Sequence, residues 1–263
     1  MYLRPALFLL LFVTLTLPPA ARGESRKILN LCGISYPSDE RVDWECHRLR
    51  RGETPEKLFG DLWPDLLRFN RIDRRHLYPG VSIKIPRNPR DIAGFSPLPD
   101  FYEDAAREEK FILVDLSEQF LAAYEYGRKV LSFPIASGNS KFRTPTGDFR
   151  VSAFSRRHKS SLYKIEKTNI PYPMHYGLRF FVNRHEVSFW MHGRDLPGFP
   201  ASHGCIGLYD EEMQRKYYRF SKGGKLQDSR TLYEWVVGPA GEKDDFSLLK
   251  SGPRVRIVGD SPL

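Results

Sequence analysis

Cysteine is scarce in this chain, with three in 263 residues, at positions 32, 46 and 205. That excludes a disulfide-dense scaffold, and the paired Cys/His spacings of structural zinc sites are absent as well. Long apolar runs are also missing. The longest, Ala6 to Leu17, has 12 residues, well short of the roughly 20 that a membrane-spanning helix needs, so no transmembrane span is expected. There is no internal repeat and no low-complexity tract, which sets aside solenoids and disordered polymers. What is present is enough for a sizeable core: 41% hydrophobic residues, 13% of all residues aromatic. At this length one main domain with a small companion is expected.

The 12-residue run lies inside "MYLRPALFLLLFVTLTLPPAARG" (1–23), which has a basic residue, an apolar stretch and a small-residue ending. It reads as a secretory signal, placing the mature protein in the periplasm or at the cell wall. Removing Arg4 and Arg22 with it lowers the formal charge from +9 to +7. Such a basic surface suits an anionic polymer, and export argues against nucleic acid as a partner. In an oxidising compartment Cys32 and Cys46 can bridge across their 14-residue separation, contributing about 3 kcal/mol by loop entropy. Cys205 is then left over, and a free thiol in an exported protein is a liability unless it has a task.

After an N-terminal extension (24–46), residues 47–86 read as strand, helix, helix, strand. Thr54 can cap the first helix with Pro55 at its first position, and Ser82 alternates with Val81, Ile83 and Ile85. "RRGETPEKLF", "LLRFN" and "LYPGVSIKIP" resemble the LysM module, a small α+β glycan-binding domain, which implies binding to N-acetylglucosamine-containing glycan. Residues 87–109 are proline-rich and aperiodic, as in a linker. Beyond them the pattern is mainly β: strands at 111–116, 119–124 and 129–136, another in "TPTGDFRVSAF", and a pair around Asn183-Arg184. Helices are expected after Asp210 and in "DSRTLYEWVV", with a closing strand in "PRVRIV". The expected catalytic unit (110–263) is a twisted antiparallel β assembly with flanking helices.

"PASHGCIG" (200–207) follows "WMHG" (190–193). A cysteine so placed is a core thiol, a metal ligand or a nucleophile. Nucleophilic work needs a base to make the thiolate and N–H donors for the oxyanion. His192 and His203 are both candidate bases, and a Cys/His pair can be largely ionised at neutral pH. Gly204 lets the backbone aim adjacent N–H groups at one oxygen. His192, His203 and Cys205 could instead supply three metal ligands, without a clear fourth.

"MHGRDLPGFPASHGCIGL" resembles the signature of the L,D-transpeptidase catalytic domain, the YkuD family. "ILVDLSEQFLAAYEYGRKVLSFPIASG", "TPTGDFRV" and "GPRVRIV" are similar to its opening hairpin, its Thr-Pro-x-Gly strand and its closing strand. The resemblance implies peptidoglycan cross-linking without metal or other cofactor. Cys205 attacks a donor tetrapeptide stem with loss of D-Ala, and an acceptor amine takes the acyl group. It also implies that His192 is the base, that the Gly193 carbonyl orients it, and that N–H groups of His203, Gly204 and Cys205 form the oxyanion hole. Ser202, Gly207, Tyr172 and Trp190 are candidate substrate contacts, although Trp190 is most simply strand core, as His175 is most simply a packed or exposed histidine. Gly207 departs from the Arg or Asn usual in the family, so trimming to tripeptide, or attachment to an outer-membrane lipoprotein, stands beside cross-linking. A non-catalytic wall-binding protein is the alternative of a different class.

Overall fold

A computed structural model describes residues 29–219, 226–238 and 246–262; the signal-like segment 1–23 lies outside them. In the N-terminal unit β1 (Trp44–Arg48) is followed by α1 (Pro55–Phe59), α2 (Trp63–Phe69) and β2 (Ser82–Pro86), and β1 and β2 pair antiparallel. The Thr54 hydroxyl accepts a hydrogen bond from Lys57 N–H, and Pro55 needs no donor at the first turn, so α1 starts where the sequence permits. The first strand begins at Trp44 rather than His47. It thereby includes Cys46, which is bonded to Cys32 with the two Cα atoms 5.8 Å apart. A core of Leu31, Val42, Leu66, Leu67, Phe69, Ile72, Val81 and Ile83 fills the unit.

The larger unit contains β3 (Phe111–Asp115), β4 (Phe120–Glu125), β5 (Arg128–Pro134), β6 (Gly147–Arg150), β7 (Ala153–Ser155), β8 (Lys159–Lys164), β9 (Pro171–Pro173), β10 (Gly177–Val182), β11 (Ser188–Arg194) and β12 (Ile206–Tyr209). Then come α3 (Glu211–Tyr218), α4 (Asp228–Val237), β13 (Ser247–Leu248) and β14 (Arg254–Val258). Two five-stranded sheets, ordered β5-β4-β3-β14-β6 and β12-β11-β10-β7-β13, enclose one core. Ile112, Val114, Leu121 and Val255 from the first sheet face Leu178, Met191, Ile206 and Leu208 from the second, and α4 adds Leu232, Tyr233 and Val236.

Two sequence expectations need correction. The assembly is not wholly antiparallel, because β14 runs parallel to β3 and β12 parallel to β11. The chain between β11 and β12 crosses back to the end from which β11 started, and a strand entered that way can only pair parallel. Nor is 87–109 a free linker. Ile92, Leu98 and Ala105 are buried, and Leu98 and Ala105 cover Phe111, Leu113, Phe120, Ala122 and Tyr124 on the outer face of the first sheet. This is why β3 and β4 read as nearly continuous apolar runs rather than alternating ones. The β8–β9 pair, rich in exposed Lys and Ser, gave no strand signal, since neither of its faces is consistently apolar.

The N-terminal unit is fastened to the larger one by buried polar contacts. Arg71 is fully buried; it donates to the Glu118 backbone oxygen and to Ser38, and pairs with Glu118 and Asp39. The Tyr36 hydroxyl donates to the Gly198 oxygen at 2.7 Å, and Leu196 N–H donates to the Asp73 carboxylate at 2.7 Å. Both acceptor and donor on the larger unit belong to the segment that leads to Cys205.

Candidate active site

Parallel pairing sets the geometry. Met191 lies opposite Ile206 and His192 opposite Gly207, and Met191 and Ile206 point into the core. By the two-residue period of a strand, Trp190, His192 and Arg194 share the other face with Cys205 and Gly207. Cys205 stands one residue ahead of β12, so its thiol and the His192 imidazole project from neighbouring strands to the same side.

His192 is almost fully buried, and its Nδ1 lies 2.8 Å from the Gly193 carbonyl oxygen. A carbonyl can only accept, so Nδ1 carries the proton and Nε2 presents a lone pair. Burial pulls the imidazole pKa down to about 3, the Gly193 bond working against this and the Arg194 charge with it. Burial also raises the Cys205 thiol, although a Trp190 backbone N–H and Arg194 favour the thiolate. Burial thus disfavours the charged form of both groups, against the ionised pair that the sequence allows. Cys205 is free and partly exposed.

The space beside Gly193 is occupied. A Cβ there would overlap the Asp210 carboxylate, with Asp210 Cβ at 2.8 Å and Cγ at 2.9 Å. Asp210 caps α3 by accepting from Met213 N–H at 2.9 Å, and burial pushes its pKa up to about 6.

The turn that carries the thiol is cross-braced. Gly204 has φ of +106°, and a Cβ on it would lie 2.6 Å from the Phe189 ring. Its N–H donates to Ser202 Oγ at 3.0 Å, Ser202 Oγ donates to the Cys205 oxygen, and Thr144 Oγ1 donates to the Gly204 oxygen at 2.9 Å. Gly204 N–H is therefore engaged with Ser202, against its expected place in the oxyanion hole. Ser202, fully buried, braces the turn and does not face substrate. The positive φ bends the segment, so His203 does not run alongside Cys205. Its exposed ring stacks on Tyr163 at 4.2 Å and packs on Phe142 at 4.8 Å. Among the described residues no group of three or more His, Cys, Asp or Glu is placed to hold a metal.

The remaining candidate contacts also sort by burial. Trp190 is buried under His158, stacked at 4.2 Å, so it supports the site from below. The Tyr172 hydroxyl is buried, near Asp195 and Arg194, and is not offered to a ligand. His175 is partly buried; its carbonyl accepts from Gly193 N–H at 2.8 Å. Gly207 lies on the site's face, and the Arg194 side chain covers it. Arg194 was not singled out in the sequence, because nothing in "HGRDL" reveals that its stem turns back along the strand.

The sequence profile of the L,D-transpeptidase catalytic domain, YkuD, matches residues 109–247, just over half of the chain. The chain belongs to that family. It therefore carries a cysteine-dependent L,D-transpeptidase domain. Among solved structures it is similar to an L,D-transpeptidase from Stackebrandtia nassauensis, with 17% identity and a TM-score of 0.43, covering 79% of this chain and 75% of that one. It is also similar to L,D-transpeptidase 1 of Mycobacterium tuberculosis, at 14% identity and TM-score 0.37, covering 57% and 62%. An Enterococcus faecium L,D-transpeptidase mutant gives 20% identity and TM-score 0.36, covering 57% and 50%. This transpeptidase-family chain thus spans less than two thirds of the last two. No curated protein matches it.

Proposed function

We propose that the protein is an exported L,D-transpeptidase acting on peptidoglycan stems, with Cys205 as nucleophile and His192 as base. The observation that carries this reading is the shared face of Cys205 and His192, with the imidazole held in the Nδ1–H form by Gly193. Cys205 Sγ attacks the carbonyl between the third residue and the terminal D-Ala of a tetrapeptide stem as its proton passes to His192 Nε2. The oxyanion meets the N–H groups of His203 and Cys205. The C–N bond then breaks, His192 returns the proton to the departing D-Ala amine, and a thioester remains. An acceptor side-chain amine attacks the thioester, giving its proton to His192, and the sulfur is released and reprotonated. Water in place of the amine would yield the tripeptide.

Burial keeps the imidazole neutral, which suits a base that must accept a proton only as the sulfur attacks. Purified protein with tetrapeptide stems should release D-Ala, and Cys205→Ala should abolish release; equal activity in that variant refutes the mechanism. Mass spectrometry of the products separates cross-linked dimers from tripeptide and from stems joined to an outer-membrane lipoprotein.

The proposal extends to the N-terminal unit as a glycan-holding, LysM-like module. Its support is the sequence resemblance and a groove of about 560 Å³ lined by residues 46–51, Pro79 and Gly80, Arg48, Arg50 and Arg51 among them. Arg50→Glu with Arg51→Glu should weaken retention on purified sacculi without changing the melting temperature. Unchanged retention would discount the module's glycan role. The signal-like segment 1–23 and the Cys32–Cys46 bridge support a periplasmic or cell-wall location.

A further inference from the structure

Resting on that reading of Cys205, we infer that Arg194 is the anchor for the free carboxylate of the donor stem, recognising the terminal D-Ala as the leaving residue. Three observations converge. First, Gly207 has no side chain, and the stem of Arg194 fills the space: its Cδ, Cβ and Cγ lie 2.5, 2.7 and 3.0 Å from where a Cβ on Gly207 would be. The stem is thereby folded back over β12 on the face that holds Cys205, and the guanidinium reaches the Ala201 oxygen in the segment that leads to Cys205.

Second, the guanidinium is under-used. One Nη donates to the Ala201 oxygen at 2.8 Å and the other makes no hydrogen bond among the described residues; Nε is buried and, like the Tyr172 hydroxyl, is not offered to a ligand. No carboxylate among the described residues forms an ion pair with it; its neighbour Asp195 is taken by Arg75 at 2.9 Å and by Gln214 at 3.2 Å. A partly buried guanidinium with a spare donor edge is matched to a planar carboxylate.

Third, its positive charge is felt at the reacting groups, opposing protonation of His192 and His203 and favouring the Cys205 thiolate. The chemistry fits the donor: the terminal carboxylate is separated from the attacked carbonyl by one amide nitrogen and one Cα. An acceptor amine, being cationic before it reacts, would be repelled from the same place.

The test compares two donors, the tetrapeptide with its free terminal carboxylate and the same peptide ending in D-alaninamide, on the wild-type protein and on Arg194→Gln. Wild type should prefer the free acid by about ten- to a hundredfold in kcat/KM, the range of a charge-assisted hydrogen bond. Arg194→Gln should lose that preference, slowing both donors through the lost charge but the acid donor about ten- to a hundredfold more than the amide; Arg194→Lys should keep part of it. Because Arg194→Gln alone could disturb the strand pair, a second variant exchanges the residues, Arg194→Gly with Gly207→Arg, and should regain a preference for the acid. An acid-over-amide ratio that Arg194→Gln leaves unchanged, or no acid preference in the wild type, overturns the assignment while leaving the transpeptidase reading intact. Failure of the wild type to release either leaving group overturns both.

Discussion

Gly193→Ala isolates one steric requirement of the site. The backbone at Gly193 is not in the left-handed region, so the substitution adds a methyl group without conformational strain, and that methyl overlaps the buried carboxylate of Asp210. Asp210 cannot simply swing away, because it caps α3 through Met213 N–H and its side chain is almost wholly enclosed. Overpacking of this kind costs about 1–3 kcal/mol, and a displaced cap about 1 kcal/mol more. For a protein of this size the combined loss corresponds to a fall in melting temperature of about 4–16 °C. Activity should suffer too. Alanine keeps the carbonyl that fixes the His192 ring, but a strand pushed aside by the methyl misplaces it, and a weakened hydrogen bond there should lower kcat up to about tenfold. Thermal unfolding and D-Ala release measure the two effects. Combining Gly193→Ala with Asp210→Gly should recover the overpacking part and leave only the lost cap. A single Gly193→Ala variant melting within 2 °C of wild type, with unchanged kcat, would show that the carboxylate yields freely and that the steric argument is wrong.

Three further outcomes are expected. Alkylation of Cys205 by iodoacetamide should keep rising with pH through 7 to 9, because burial raises the thiol and a neutral His192 supplies no imidazolium; a plateau reached below pH 6, read by mass spectrometry, would contradict the neutral pair. Burial also pushes Asp210 up to about 6, so its contribution to stability is fully present below about pH 4 and is lost as pH rises through about 6, amounting to about 3 kcal/mol. Asp210→Asn, which can still cap the helix, should flatten that part of a melting-temperature profile and raise stability at pH 7; a profile identical to wild type would discount the shift. Tyr36→Phe removes only the bond to the Gly198 oxygen and leaves a buried carbonyl unpaired, a loss of about 1–3 kcal/mol. Since Gly198 lies on the segment leading to Cys205, kcat/KM should fall with it, and wild-type kinetics in this variant would mean that the N-terminal unit does not steady the loop.

Much of the fold was legible because its strands advertise themselves. The runs at 111–116, 119–124 and 129–136 became β3, β4 and β5 within a residue or two. Asp210 and Thr54 marked helix starts that the structure bears out through their side-chain hydrogen bonds. The parallel pairing of β11 and β12 was not legible, since residue alternation does not encode strand direction. The cover over the first sheet was misread as a linker because its few apolar residues, Ile92, Leu98 and Ala105, follow no period and gain meaning only from the face they cover. At the site, Ser202 and Gly204 occupied the expected positions, yet Ser202 Oγ takes up the Gly204 N–H, a short contact set by one backbone torsion.

Sequence alone determined the chemical identities: a lone thiol in "SHGCIG", a histidine at the end of an apolar strand, and two cysteines near enough to bridge. Those follow from composition and local spacing, which the chain carries wherever it goes. Only the tertiary structure decided which histidine shares a face with Cys205, how far burial disfavours charge on each of them, and that Arg194 lies in the gap left by Gly207. Those depend on strand direction and on the exclusion of water, and neither exists until distant segments have packed together.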